Sequence, residues 1–200
     1  MSSGGPPPAG LASRSLRLVE PPAGINWRRL YLSKYPDPLG MGPGHSRFSD
    51  PTGAAFTLVY LGSSAKVAFI EAILRDRADG RDEDFTIPLA EIEAFNCAEI
   101  SIREPLRLVD LTGDGPIRLG VPSDVLGARD QTLGQIWSEA FYNHSDQADG
   151  ILYPSRLNEE RNIAIYDRAV SKLTPRRTRR LIENRDELAQ IIVDLELAIV

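Results

Sequence analysis

Trp27-Arg28-Arg29-Leu30-Tyr31 leads through a Pro/Gly-rich stretch to Ser46-Arg47-Phe48-Ser49-Asp50-Pro51. Leu58-Val59-Tyr60-Leu61 follows, and then Ser63-Ser64-Ala65-Lys66-Val67-Ala68-Phe69-Ile70-Glu71. Asn26 to Leu32 reads as a short strand, and Phe56 to Leu61, rich in β-formers, as a buried one. Ser63 or Ser64 is placed to cap a helix whose apolar contacts are Val67, Phe69, Ile70 and Ile73. Two arginines, a tyrosine and a glutamate thus arrive from different local structures. Paired guanidinium groups suit a pyrophosphate, an aromatic face suits a flat heterocycle, and a carboxylate suits a developing cation.

Working outward, Pro36 to Gly44 is too rich in proline and glycine for regular structure. Such a loop serves as a connector or as a pliable wall of a binding site. Arg75 to Asp84 is highly charged and reads as solvated. Phe85–Leu89, Ala98–Ile102, Leu106–Leu111, Ile151–Tyr153 and Asn162–Tyr166 read as further strands. Thr132–Tyr142 has helical spacing, with Leu133, Ile136, Trp137 and Ala140 on one stripe. Lys172, Arg176, Arg177, Arg179 and Arg180 form a basic cluster that reads as a charged connector. The amphipathic helix after it, from about Asn184 to Leu197, opens with the spacing of a capping box, Asn184 to Glu187. Its stripe of Leu188, Ile191, Ile192 and Leu195 packs on the domain or, if exposed, supports a homodimer.

The pattern predicts a single compact α+β domain with many short strands and flanking helices. Residues 1–24 are expected to form a flexible arm, with Leu16, Leu18 and Val19 able to dock on a neighbour or on the body, 25–170 the body, and 171–200 the basic connector and last helix. At 200 residues, 42% hydrophobic, the chain suffices for one substantial core. A net charge of -5 argues against direct nucleic-acid binding, which normally needs a basic excess. The apolar runs fall far short of the roughly 20 residues of a membrane span, and the N-terminus lacks an apolar signal core. A cytoplasmic protein is expected. The lone Cys97 fits a reducing compartment and reads as a small buried hydrophobe. Two histidines and no Cys/His cluster predict no metal site, and His144 in its polar turn is expected to be exposed. Gly40-Met41-Gly42-Pro43-Gly44 lacks the strand-to-helix context of a dinucleotide fold.

Five segments in order carry a resemblance: Trp-Arg-Arg-Leu-Tyr at 27–31, Ser-Arg-Phe-Ser-Asp-Pro at 46–51, Val-Tyr-Leu-Gly at 59–62, Ala-Phe-Ile-Glu at 68–71, and Asp-Gly-Ile-Leu-Tyr-Pro-Ser-Arg at 149–156. Over about Asn26 to Tyr166 the chain resembles the RES-domain toxins of the RES–Xre type II toxin–antitoxin modules. The resemblance implies central sheets related to ADP-ribosyltransferases and NAD as the substrate. It also implies cleavage of the nicotinamide–ribose bond, with ADP-ribose passing to water, phosphate or a protein acceptor, and inhibition by an Xre-like helix-turn-helix antitoxin. Under it, Glu71 is the catalytic carboxylate, Arg29 and Arg47 hold phosphate or ribose, and Tyr60 lies beneath nicotinamide. Tyr31, two residues from Arg29, faces the same side of a strand. Ser155 matches the family serine, and Thr132 falls where some relatives carry a cofactor-contacting serine. Arg28 competes with Arg29, because adjacent strand residues face opposite ways. The bland alternatives are a surface Arg47 paired with Asp50, a core Tyr60, a turn role for Ser155 and an N-cap role for Thr132. A non-catalytic nucleotide-binding module and a ribonuclease-type toxin are the competing functional readings.

Overall fold

A computed structural model describes residues 4–42, 44–75, 77 and 85–200. The expected solvated segment from Arg75 to Asp84 therefore lies almost wholly outside the described residues. The strands are β1 (Leu18–Val19), β2 (Trp27–Leu32), β3 (Leu58–Gly62), β4 (Phe85–Ile87), β5 (Phe95–Ile102), β6 (Leu108–Asp110), β7 (Gly150–Pro154), β8 (Arg161–Tyr166), β9 (Leu173–Arg180) and β10 (Leu197–Ile199). The helices are α1 (Ala65–Phe69), α2 (Leu89–Glu93), α3 (Gly115–Leu119), α4 (Asp124–Gly127), α5 (Thr132–Tyr142) and α6 (Arg185–Asp194). The fold class is α+β, with mixed strand pairing. The chain's contacts gather in two units.

The first unit comprises residues 1–23, 41–60 and 102–173. Its strands run in the order β1-β6-β7-β8, with β6 and β7 parallel and the other pairs antiparallel. The central strands read as near-continuous apolar runs, as a strand covered on both faces must. Ile151, Leu152, Ile163, Ala164 and Ile165 are all buried. Gly150 is required by its neighbour, since a Cβ there would stand 2.2 Å from the Ala164 carbonyl oxygen. Helix α5 packs Trp137 and Phe141 into this core. Tyr142 stacks on Phe56 at 4.5 Å and meets the buried Tyr166 edge-on at 5.1 Å.

The described N-terminal residues, expected as an arm whose Leu16, Leu18 and Val19 could dock on the body, carry specific contacts in this unit. Leu11, on a 3-10 turn (Ala9–Ser13), is buried, and β1 pairs with β6. The Gly5 carbonyl accepts a bond from the Trp137 indole. His144 is buried rather than exposed, because its ring is the anchor for this segment. Its Nδ1 accepts from the Asp146 N–H at 3.0 Å, so Nε2 carries the proton and faces the Leu11 carbonyl at 3.3 Å.

The second unit comprises residues 24–40, 61–101 and 174–200. Its strand order is β3-β2-β5-β9, and a separate parallel pair joins β4 to β10. Trp27 to Leu32 pair in register with Ile100 to Phe95. Ser64 is the residue that caps α1, its hydroxyl accepting from the Val67 N–H at 3.2 Å. The Phe85–Leu89 strand is shorter than expected, since Leu89 opens α2. The basic connector is not a connector: β9 is an eight-residue strand, and hydrogen bonding to one neighbour suffices to hold it extended. Helix α6 starts at Arg185 without the expected capping box, because the Asn184 side-chain amide donates to the Glu187 carboxylate instead of accepting from the backbone. Leu188 and Ile191 are buried in this unit's core. Among the described residues, no helix is long and apolar enough to cross a membrane.

Candidate functional site

In the first unit, four residues between the Pro/Gly-rich loop and β3 close into a turn. The Ser49 N–H donates to the Ser46 carbonyl and the Ser46 N–H to the Ser49 hydroxyl, both at 3.0 Å. Phe48 is the anchor, fully buried and edge-on to Tyr153 at 4.8 Å. Its N–H donates to the Tyr60 hydroxyl at 3.2 Å. Tyr60 therefore has a half-buried ring and a polar tip tucked into the turn that carries Arg47.

Burial of that tip pushes the Tyr60 phenol up to about 12, against the downward pull of Ser49, the Phe48 N–H, Ser46 and the nearby Arg47. Tyr60 is thus neutral at physiological pH and offers a face and a dipole rather than a base. Its folded value lies above the ordinary 10.0, so its stability contribution is complete below pH 10 and is lost as pH rises toward 12. The spectroscopic titration of Tyr60, taken by difference from Tyr60→Phe, is expected to lack an ordinary step near pH 10. A step there would place the hydroxyl in water.

Arg47 is fixed by α4 and α5. Its Nη1 donates to the Val125 carbonyl at 3.3 Å, and the Gln135 side chain donates to the Ser46 carbonyl at 3.2 Å. Gly134 makes that approach possible. A Cβ there would sit 2.5 Å from the Arg47 carbonyl oxygen and 3.0 Å from its Cγ. Gly134→Ala is expected to cost about 1–3 kcal/mol by overpacking, read from urea unfolding. A neutral result would mean the 46–49 turn yields freely. Asp50 is used by its own loop: its carboxylate accepts from the Thr52, Ala54 and Ala55 N–H groups and the Thr52 hydroxyl. Burial alone would raise its pKa, but those bonds outweigh it and hold the acid below the usual carboxylate range.

Ser155 and Thr132 answer chiefly to local structure. Ser155 is buried, and its hydroxyl accepts from the Leu157 N–H at 3.3 Å within the 155–160 turn. Thr132 is exposed at the first position of α5, and its N–H donates to Asp130, which does the capping expected of Thr132 itself.

The second unit holds Arg29, Tyr31 and Glu71. Strand alternation sends Arg28 and Arg29 to opposite faces. Arg28 pairs with Glu187 at 3.2 Å and Glu99 at 3.6 Å. Arg29 shares its face with Tyr31, 5.9 Å from the ring centroid. The Arg29 guanidinium donates to the carbonyls of Pro38 (2.6 Å) and Gly40 (2.8 Å), so it shapes the start of the Pro/Gly-rich loop. Burial lowers its pKa, while Asp37 and then Tyr31 raise it. Glu71 is half-buried on a π-helical turn, Ile70–Leu74, that continues α1. The turn ends at Arg75, a non-glycine residue with φ 46°, whose Nε donates back to the Glu71 carbonyl at 3.1 Å. π-turns of this kind are rare and occur frequently at functional sites. Cys97 is buried, as expected, and burial pushes its thiol up to about 12, which leaves it unreactive at neutral pH.

A sequence model of the RES domain family matches residues 26–183, most of the chain. The chain belongs to the RES domain family. The match contains Arg29, Tyr31, Arg47, Tyr60, Glu71, Thr132 and Ser155. A relative from Sinorhizobium fredii, named Probable toxin y4kH, is 43% identical over 127 residues, covering 64% of this chain and 100% of its own. A chain of the M. tuberculosis MbcT–MbcA toxin–antitoxin complex superposes with a TM-score of 0.65 at 16% identity, covering 91% of this RES domain protein and 98% of that chain. At that identity the likeness shows the fold.

Sequence reasoning missed Gly134, Gln135 and the serines of the 46–49 turn as supports of Arg47. Only Gly134 left a signal. A glycine inside a helix costs about 1 kcal/mol against alanine, which points to a close approach.

Proposed function

We propose that this RES domain protein is the toxin of a toxin–antitoxin pair and that it cleaves the nicotinamide–ribose bond of NAD. The observation that carries the reading is the union of Arg47 and Tyr60 on one buried-tip turn, inside a RES domain match that spans residues 26–183. Likeness to a Sinorhizobium fredii protein named as a probable toxin, and to a chain of a mycobacterial toxin–antitoxin complex, supports the toxin and its antitoxin partner.

Nicotinamide leaves as a neutral ring and needs no proton, so the barrier lies in the electron-poor ribose. A carboxylate stabilises that oxocarbenium-like sugar as it does in glycosidases, and Glu71 takes this role. Arg29 and Arg47 are each assigned to phosphate or ribose, a role that converts an encounter into an oriented complex. Each guanidinium has five N–H donors, so the two Arg29 bonds to Pro38 and Gly40 leave others for a phosphate. Tyr60 offers its ring face to nicotinamide, with Tyr31 and the hydroxyls of Ser155 and Thr132 as further contacts. ADP-ribose then passes to water, phosphate or a protein side chain.

The test is incubation of the purified protein with NAD, with and without phosphate and with cell protein, followed by product identification. Nicotinamide release is expected in every arm if water is the acceptor, and only in the arms with phosphate or cell protein if one of those is. ADP-ribose, its phosphate ester or a labelled protein names the acceptor. Intact NAD throughout would end the reading. RNA cleavage in its place would favour a nuclease.

A further inference from the structure

The four-arginine segment is not absorbed by this chemistry. It forms β9, the last strand in its sheet order, and all of Pro175 to Arg180 is exposed. Among the described residues no further strand pairs with it. Arg176 donates to the Ser101 hydroxyl and Arg180 to the Glu93 carbonyl, both at 3.0 Å. These two partners are neutral and do not offset the charge of Arg176 and Arg180. Among the described residues none of the four arginines makes an ion pair. Arg177 and Arg179 line a shallow, solvent-open cleft with Arg28, Cys97, Glu99, Asn184 and Glu187. At its base the buried Nε of Arg28 has no hydrogen-bond partner among the described residues.

We propose that β9 is a docking edge for an extended, acidic segment of a partner protein, which adds to the sheet as a further strand. An edge strand presents unpaired N–H and C=O groups in alternation, which an extended peptide complements and a phosphate backbone does not. Side chains of such a peptide lie beside those of β9, where opposite charges attract and like charges repel. Four arginines within five residues therefore favour glutamate and aspartate, and they disfavour a second copy of β9, which would set arginine against arginine. Nucleic acid is the weaker fit, because a phosphate backbone offers no alternating N–H and C=O groups to complete the ladder along this edge. Pro175 lacks an N–H but sits where edge strands accept proline, leaving residues 176–180 to pair.

The test uses the full chain and fluorescence anisotropy with a labelled peptide of alternating glutamate and valine. Saturable binding is expected, weakened by at least ~10-fold when glutamine replaces the peptide's glutamates and by a similar factor in the Arg177→Glu/Arg179→Glu variant. Both positions are exposed, and circular dichroism should show the variant folded. Arg177→Gln/Arg179→Gln should fall between. The peptide N-methylated at alternate residues, in both registers, should lose binding in at least one. No binding of the acidic peptide would overturn the proposal and leave the arginines as guards against edge pairing. Equal binding of both N-methylated forms would also overturn it, reducing the edge to a charged surface. So would tighter, arginine-dependent binding of short duplex DNA. The outcome is independent of NAD cleavage, since no residue assigned to that chemistry is altered.

Discussion

Glu71→Gln should lower the rate of nicotinamide release by at least ~100-fold, about 2.7 kcal/mol of transition-state stabilisation, the loss typical of one electrostatic group in a dehydrated site. Glutamine keeps the length and shape of the side chain, removes its charge and exchanges one acceptor oxygen for an NH2 donor. The turn that carries position 71 is held by the buried Ile70, Ile73 and Leu74 and by the bond from Arg75 to the Glu71 carbonyl, none of which involves the carboxylate. Urea unfolding of the variant separates any loss of stability from the loss of rate. The charge matters most when the sugar becomes cationic, so the fall should appear in kcat while KM for NAD moves little. Parent-like turnover in Glu71→Gln would remove the glutamate from the chemistry. A raised KM with unchanged kcat would make it a binding residue.

Trp137→Ala should destabilise the protein by about 3–5 kcal/mol, the usual cost of emptying a large buried aromatic site. Trp137 is 1% exposed on α5, and its ring centroid lies 5.7 Å from that of Phe141. Its indole N–H donates to the Gly5 carbonyl at 3.1 Å, so the same side chain fills the core and holds the N-terminal segment. Trp137→Phe keeps most of the apolar volume and loses that hydrogen bond, for which about 1 kcal/mol is expected beyond the repacking cost. Urea unfolding of both variants measures the two contributions. Nearly equal losses would show that the hydrogen bond to Gly5, rather than the buried volume, dominates. A small loss in Trp137→Ala would mean the core collapses around the gap.

Helix α5 shows how much was legible in the residues alone. Its apolar spacing gave Thr132–Tyr142 with the observed bounds. The strands β2, β3, β7 and β8 were equally plain, because short apolar runs bounded by glycine, proline or polar residues have few other uses. Five ordered motifs were sufficient to place the chain in its family before any contact was known. The basic run at 172–180 was misread, since a charged segment gives no apolar period and an edge strand needs only one neighbour. His144 was misread for a related reason. Its local turn is polar, and its ring faces the Leu11 carbonyl, more than a hundred residues away.

The class of fold, the periodic elements and the residue types available for chemistry follow from local pattern and are readable along the chain. Which partner each polar side chain meets depends on contacts between distant segments. Arg28 and Arg29 are neighbours with the same side chain, yet one is drawn into an ion-paired cleft and the other to two loop carbonyls beside Tyr31. Strand alternation separates them, but what each face meets is set by segments distant along the chain. Tyr60 is held the same way, neutral and oriented, by a turn twelve residues earlier that closes on its hydroxyl and shuts out water.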